Sequence, residues 1–289
     1  MTLKDVVSVL NFAAFRPEPD DPSASWRRRF PTHRTVLTGV GKASLGWRGV
    51  QKNGRFTEGG LIRGELKDLI NQASIQIKDL ADDGWCAVSL NTRYVISLET
   101  NLSRRPGSED VIKTTPRNVL GARYERGKRY AVTHNPETNA SILLSTDEDY
   151  IKKLEGMLKE AGLNMGRVCC GSYVLLRHAL AATNTTRSGE KTATCFYIVC
   201  CMGAVCALVQ DQDRWLELRS RTDVYEDTLD PVIDLVTPFK QRVAPESEIV
   251  LICDQPYDGL AEALQELFAG HKITDLSQPD LLWSLIAQY

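Results

Sequence analysis

Apolar and polar positions alternate from residue 35 onward. In TVLTGVGKASLGWRGVQKNGRF (35–56), Leu45, Trp47 and Val50 interleave with Gly46, Arg48 and Gly49, which is the period of a strand. Strands are expected near 35–41, 44–51 and 55–58, with Asn53-Gly54 fixing the second turn. The period then changes. Leu61, Leu66, Leu69, Ile70, Ala73, Ile77 and Leu80 recur at helical spacing and predict a helix over about 60–80. WCAVSLN and YVISLE return to strand character at about 85–91 and 94–99.

The last hundred residues follow the same order. Strands are expected at about 194–201, 203–210 and 214–220, then a helix near 227–242 and the strand EIVLICD at 248–254. A helix at 257–269, a short strand near 272–275 and a helix at 279–288 close the chain. Three antiparallel strands followed by alternating helix and strand is the order of the ribonuclease-H-like α/β fold. Its recurrence predicts a duplicated architecture without visible identity between the halves. Between them, 101–166 reads as an inserted α+β subdomain. It holds the strands KRYAVTHN and ASILLST and the helix DEDYIKKLEGMLKEAGL, with Gly162 as its C-cap. RVCCGSYVLLRHALAAT then supplies a strand and helix that complete the first half. The expected division is an N-terminal arm (1–31), a first half (32–100 with 167–187), the insert (101–166) and a second half (188–289).

Composition narrows the class. With 43% hydrophobic and 25% charged residues, the 289-residue chain reads as a packed soluble protein. Its formal net charge of -2 argues against nucleic acid as an electrostatic partner. No apolar run nears the roughly 20 residues of a membrane span, and the N-terminus lacks a secretory signal. The expected location is therefore the cytoplasm, unless a membrane anchor follows. Six of the eight cysteines (Cys86, Cys169, Cys195, Cys200, Cys206 and Cys253) sit in or beside apolar runs, and no Cys-x-x-Cys pair exists. They read as small buried hydrophobes rather than metal ligands.

Several motifs fail on inspection. Gly39-Val40-Gly41-Lys42 promises phosphate chemistry, yet a P-loop needs Gly where Val36 stands and Ser or Thr where Ala43 stands. A dinucleotide fingerprint needs Gly at Ser44 and a following helix. The stretch therefore reads as a hairpin, and Lys42 as a solvated surface lysine. Ser188-Gly189-Glu190-Lys191 matches a Ser-x-x-Lys string but lies in loop composition. His33, His134, His178 and His271 are scattered, so a hydrolase triad has no anchor. A nuclease would need clustered strand carboxylates, whereas Asp211 and Asp213 fall in a turn. In the arm, ASWRRRF pairs two aromatics with Arg27, Arg28 and Arg29, which suits acidic lipid headgroups, a partner's acidic patch or plain solvent.

Two ribonuclease-H-like halves around a cleft make the actin-like fold. Within it the chain resembles the pilus-assembly protein PilM and the cytoplasmic domain of the type II secretion protein GspL. The resemblance runs from about residue 35 to the end. It rests on VLTGVGKASLGWRGVQKNGRF, on DEDYIKKLEGMLKEAGLNMGRVCCGSYVLLRHAL, and on CFYIVCCMGAVCALVQDQDRWLELRSR followed by EIVLICDQPYDGLAEALQELF. SVLNFAAF in the arm is similar to the Asn-containing N-terminal peptide that the pilus protein PilN inserts into PilM.

The departures from this resemblance matter more than the matches. In nucleotide-binding members each hairpin turn carries an Asp that orients magnesium, and a later strand ends in Gly-Gly beside the adenosine. Here Gly39 replaces the first Asp, Cys201 the second, and Cys253-Asp254 the glycine turn. The subdomain that closes over the nucleotide is reduced to one helix. A neutral thiol is a poor ligand for magnesium, which prefers hard oxygens. With Gly41, Lys42 and Gly203 these positions form a degenerate nucleotide site, and no cofactor or metal is expected. The resemblance implies a pseudo-ATPase scaffold beneath the inner membrane, with a PilN-like or GspM-like partner and an assembly ATPase as contacts. It also implies a peptide groove between insert and first half, and admits a homodimer. The alternative is a divergent actin-like ATPase or small-molecule kinase binding Mg-ATP in the cleft flanked by Gly39–Lys42 and Gly203.

Overall fold

The computed structural model describes residues 35–40, 44–50, 55–78, 85–102, 111–112, 114–134, 140–186, 194–211, 214–222, 224 and 228–288. The arm, Gly41, Lys42 and the Ser188–Lys191 string lie outside the described residues.

The first sheet is built from β1 (Thr35–Val40), β2 (Ser44–Val50), β3 (Phe56–Arg63), β4 (Trp85–Leu90) and β8 (Asn164–Cys170), in the order β3-β2-β1-β4-β8. β1, β2 and β3 pair antiparallel, while β4 and β8 add in parallel to β1. The second sheet repeats this plan. Here β9 (Cys195–Cys201), β10 (Ala204–Asp211), β11 (Arg214–Thr222), β12 (Glu248–Cys253) and β13 (Lys272–Asp275) stand in the order β11-β10-β9-β12-β13, with the same parallel and antiparallel pairings. The expected duplication of architecture is therefore present in strand order and sense.

Helices flank both sheets: α1 (Leu66–Lys78), α3 (Glu148–Glu160) and α4 (Gly171–Thr186), then α5 (Asp230–Val236), α6 (Leu260–Leu267) and α7 (Leu281–Gln288). One core lies between the halves, where α4 and α7 bring Leu175, Leu176, Leu282 and Ile286 against Tyr197 and Val199 of β9. A second packs Phe196, Phe239 and Phe268 on the outer face of the second sheet. A third packs Leu45 and Trp47 under α1 and α3.

The elements differ from the sequence expectations in five places. β3 runs on to Arg63 and α1 begins only at Leu66, so Leu61 sits on a strand and is 52% exposed. The cause is Gly60, which passes beneath the Trp47 ring: a Cβ there would lie 2.3 Å from Trp47 Cζ2, so only glycine lets β3 continue past it. The strand expected near 94–99 is β5 (Ile96–Asn101), and it belongs to a third sheet, β5-β7-β6, with β6 (Lys128–His134) and β7 (Ala140–Asp147). α3, assigned to the insert from sequence, instead buries Ile151, Leu154 and Leu158 with Leu69, Ile70 and Val88 of the first half. The helix expected over 227–242 is α5 followed by a 3₁₀ turn, Thr237–Gln241. Pro238 has no N–H to continue the α-helical ladder. Finally, α2 (Pro116–Leu120), only five residues long, was not anticipated.

The C-cap expectation at Gly162 is met. Its φ is 81°, its N–H donates to Lys159 O at 2.9 Å, and Leu163 N–H donates to Leu158 O at 2.8 Å, which is a Schellman closure. Earlier in α3, a Cβ on Gly156 would meet nothing within 4 Å. Gly156→Ala should therefore stabilise the protein by about 0.5–1 kcal/mol, because alanine has less backbone freedom to lose. Equilibrium urea unfolding measures this.

Candidate functional site

The two halves meet at the C-terminal ends of β4, β9 and β12. Gly39 on β1 stands in register with Gly46 of β2 on one side and Ser89 of β4 on the other. From the second half, the β9–β10 hairpin turns through Met202 and Gly203 with φ of 51° and 75°. Two consecutive left-handed residues make a tight hairpin turn, natural for Gly203 and costly for Met202.

Two side chains hold that turn. The Met202 N–H donates to Asp254 Oδ2 at 2.8 Å. The Met202 carbonyl accepts from Asn91 Nδ2 at 2.6 Å. Asn91 belongs to the first half and is fixed by accepting the Arg93 N–H at 2.8 Å. Asp254 follows β12 directly, and its own N–H donates to Cys200 O at 3.1 Å, extending the ladder. One turn thus ties β4, β9 and β12 together. A carboxylate of the chain itself sits on an outward backbone N–H of the second hairpin, where a phosphate-binding hairpin offers its N–H groups to an anion.

Behind this turn the junction is closed. Ser89, Asn91, Ser172 and Cys201 are all 1% exposed or less. Gly171, at the start of α4, fits so tightly that a Cβ would lie 2.5 Å from Ser89 Oγ and 2.7 Å from Cys201 Sγ. Burial pushes the Cys201 thiol well above its ordinary range, and the nearby Asp254 carboxylate adds to that. The residues at the junction do not fit a magnesium–phosphate group. Gly39 offers no side-chain ligand, Cys201 is a sealed thiol kept protonated by burial, and Asp254 Oδ2 is taken by the Met202 N–H. Among the described residues no cluster of three or more His, Cys, Asp or Glu side chains could hold a metal.

Beside the closed junction lies an open cleft of about 710 Å³ between the halves. Its floor is Gly46 and Leu61 on β2 and β3; Asp254, Tyr257 and Leu260 form the second-half wall, and Trp283 of α7 closes it. Arg48 crosses the rim to Asp280, with Nε and Nη2 at 3.1 and 3.0 Å from Oδ1. Both side chains are 35% exposed, so the pair contributes at most about 1 kcal/mol. Arg167 is buried and donates from Nη1 to Ile286 O at 3.1 Å, anchoring α7 to β8.

Of the positions singled out in the sequence, Gly203, Cys253 and Asp254 line this cleft, and Cys201 lies sealed behind it. Asn91, Asp280 and Trp283 were not anticipated. Asn91 does carry a local signal, since Asn before Thr92–Tyr94 caps the 3₁₀ turn, but nothing in the sequence points from it to Met202.

No protein-family model matches the chain, and no curated protein matches its sequence. Its fold is nevertheless shared. It is similar to a Bacteroides thetaiotaomicron protein described as having an actin-like ATPase fold and unknown function, with TM-score 0.54, 12% identity and coverage of 89% of this chain and 97% of that one. The chain in the PilM–PilN type IV pilus biogenesis complex gives TM-score 0.54, 11% identity and coverage of 88% and 90%. The cytoplasmic domain of EpsL, an inner-membrane component of the Vibrio cholerae type II secretion system, gives 0.51, 10% identity and coverage of 88% and 93%. The fold is actin-like α/β.

Proposed function

We propose that this chain is a non-catalytic adaptor of a bacterial type IV pilus or type II secretion platform, acting at the cytoplasmic face of the inner membrane. The observation that carries the reading is the Asp254 carboxylate seated on the Met202 N–H beside a sealed junction. An anion of the chain stands at the hairpin where a nucleotide's phosphates would be held, so the halves meet without a ligand. The likeness in fold to PilM and to the EpsL cytoplasmic domain supports the choice of platform. Among the described residues no helix is long and apolar enough to cross a membrane, in keeping with contact through partners.

The docking surface we assign to an extended PilN-like or GspM-like segment is β5. It is an edge strand of the third sheet among the described residues, and it exposes Ile96 (59%) and Leu98 (48%) on one face. Edge strands of this kind accept a further strand by main-chain pairing. An assembly ATPase would be the second contact.

A thermal melt with and without 1 mM ATP and magnesium tests the reading. No shift of the midpoint is expected. A nucleotide present at about 100 times its dissociation constant would stabilise by about 2.7 kcal/mol. In a chain of this size that raises the midpoint by roughly 5–10 °C, and such a rise would return the chain to the ATPase or kinase class.

A further inference from the structure

Cys200 on β9 and Cys253 on β12 are register partners on adjacent parallel strands. Both belong to the outer-face core of the second half, at 0% and 4% exposure, so they share one face of the sheet. Their side chains are close enough to influence each other, and both thiols are free. The Asp254 N–H to Cys200 O bond at 3.1 Å holds the strand ends together just beyond them. Neighbouring strands lie about 4.8 Å apart, inside the Cα separation of about 4.4–6.8 Å that a disulfide spans. Cys253 also lines the 710 Å³ cleft, whereas Cys200 lies behind it.

We propose that Cys200 and Cys253 form a redox pair that oxidises reversibly to a disulfide, with a hydroperoxide entering through the cleft as oxidant. The Cys253 sulfur attacks the peroxide O–O bond. The sulfur becomes a sulfenic acid, and the leaving hydroxide takes the thiol proton as water. The Cys200 sulfur then displaces the sulfenic oxygen, which departs with the second proton as water. Two thiols and one hydrogen peroxide give one disulfide and two waters, two electrons passing from sulfur to oxygen.

The position gives the bond a consequence. Cys253 immediately precedes Asp254, and Cys200 lies two residues before Met202, so the disulfide staples the two strands whose ends carry the Asp254–Met202 contact. It would fix covalently what the hydrogen bond now holds. A pair set directly across parallel strands is a constrained disulfide, and constrained disulfides are the readily reduced ones.

The test uses the full chain, treated with hydrogen peroxide, alkylated without reduction, digested and read by mass spectrometry. The expected product is a peptide linked through Cys253 to the Cys195–Cys206 stretch, lost on treatment with dithiothreitol. Cys200→Ala should abolish the link, and Cys201→Ala should leave it intact. Cys253→Ala should also abolish it. A melt of each variant identifies any that fail to fold, and fragmentation of the wild-type linked peptide assigns the bond without them. Thiols that all stay reduced in the folded protein, or a link through Cys195, Cys201 or Cys206 instead of Cys200, would overturn the assignment.

Discussion

Phe196→Ala is expected to lower the stability of the protein by about 3–5 kcal/mol, the range for removing a large aromatic from a packed core. Phe196 is fully buried on the outer face of the second sheet. Its ring stacks at 4.9 Å on Phe239 from the 3₁₀ turn and tilts at 5.6 Å against Phe268 at the end of α6. Three separate stretches therefore close on one side chain. Arg219 lies over the other partner's ring, its Cζ 5.3 Å from the Phe239 centroid, so the Phe239 side of the cluster is capped. The space left by alanine cannot be refilled by a single rotamer change. At a few degrees per kcal/mol for a chain of this length, the midpoint should fall by roughly 10 °C. A loss under about 1 kcal/mol would mean that the three aromatics do not share a core.

Gly171→Ala is the second large effect, and its sign decides the point. Helix propensity alone favours alanine over glycine by up to about 1 kcal/mol. The junction opposes it, because the new Cβ would press on Ser89 Oγ and Cys201 Sγ at 2.5 and 2.7 Å, and on Leu282 Cδ1 at 3.3 Å. Those atoms belong to a strand of each half and to α7, and Ser89, Cys201 and Leu282 are all buried. Relief by one requires movement of the others, and overpacking of this kind typically costs about 1–3 kcal/mol. Net destabilisation is expected, opposite in sign to Gly156→Ala in the same assay. A stabilised Gly171→Ala protein would show that the halves do not meet as closely as described.

The sequence and the structure agree where a local rule was sufficient. The continuous apolar runs in CFYIVCCMGAVCALV, broken at Met202-Gly203, gave β9 and β10 to within a residue, because both strands are buried along nearly their whole length. Gly162 announced its own cap, since a left-handed residue after an amphipathic helix has a local cause. The failures have a cause of a different kind. Leu61 matched a helical stripe by spacing, and only the Trp47 ring over Gly60 kept the chain extended. Ile151, Leu154 and Leu158 are a plain amphipathic face, and a face does not state which sheet it will cover.

The same division holds at the site. The residue types Gly39, Cys201 and Cys253-Asp254 were readable from the chain, because what a side chain can offer a ligand depends on its type. What the residues around the second hairpin turn touch was not readable. Asn91 and Asp254 reach Met202 across 111 and 52 residues of chain. Cys200 and Cys253, 53 residues apart, become neighbours through strand register. Periodicity and turn chemistry are properties of a few consecutive residues, so the sequence by itself determined the duplicated strand order and which residue types stand at the two hairpin turns. Closure of the junction, the open cleft beside it and the paired thiols depend on contacts between distant segments, and the tertiary packing alone decided those.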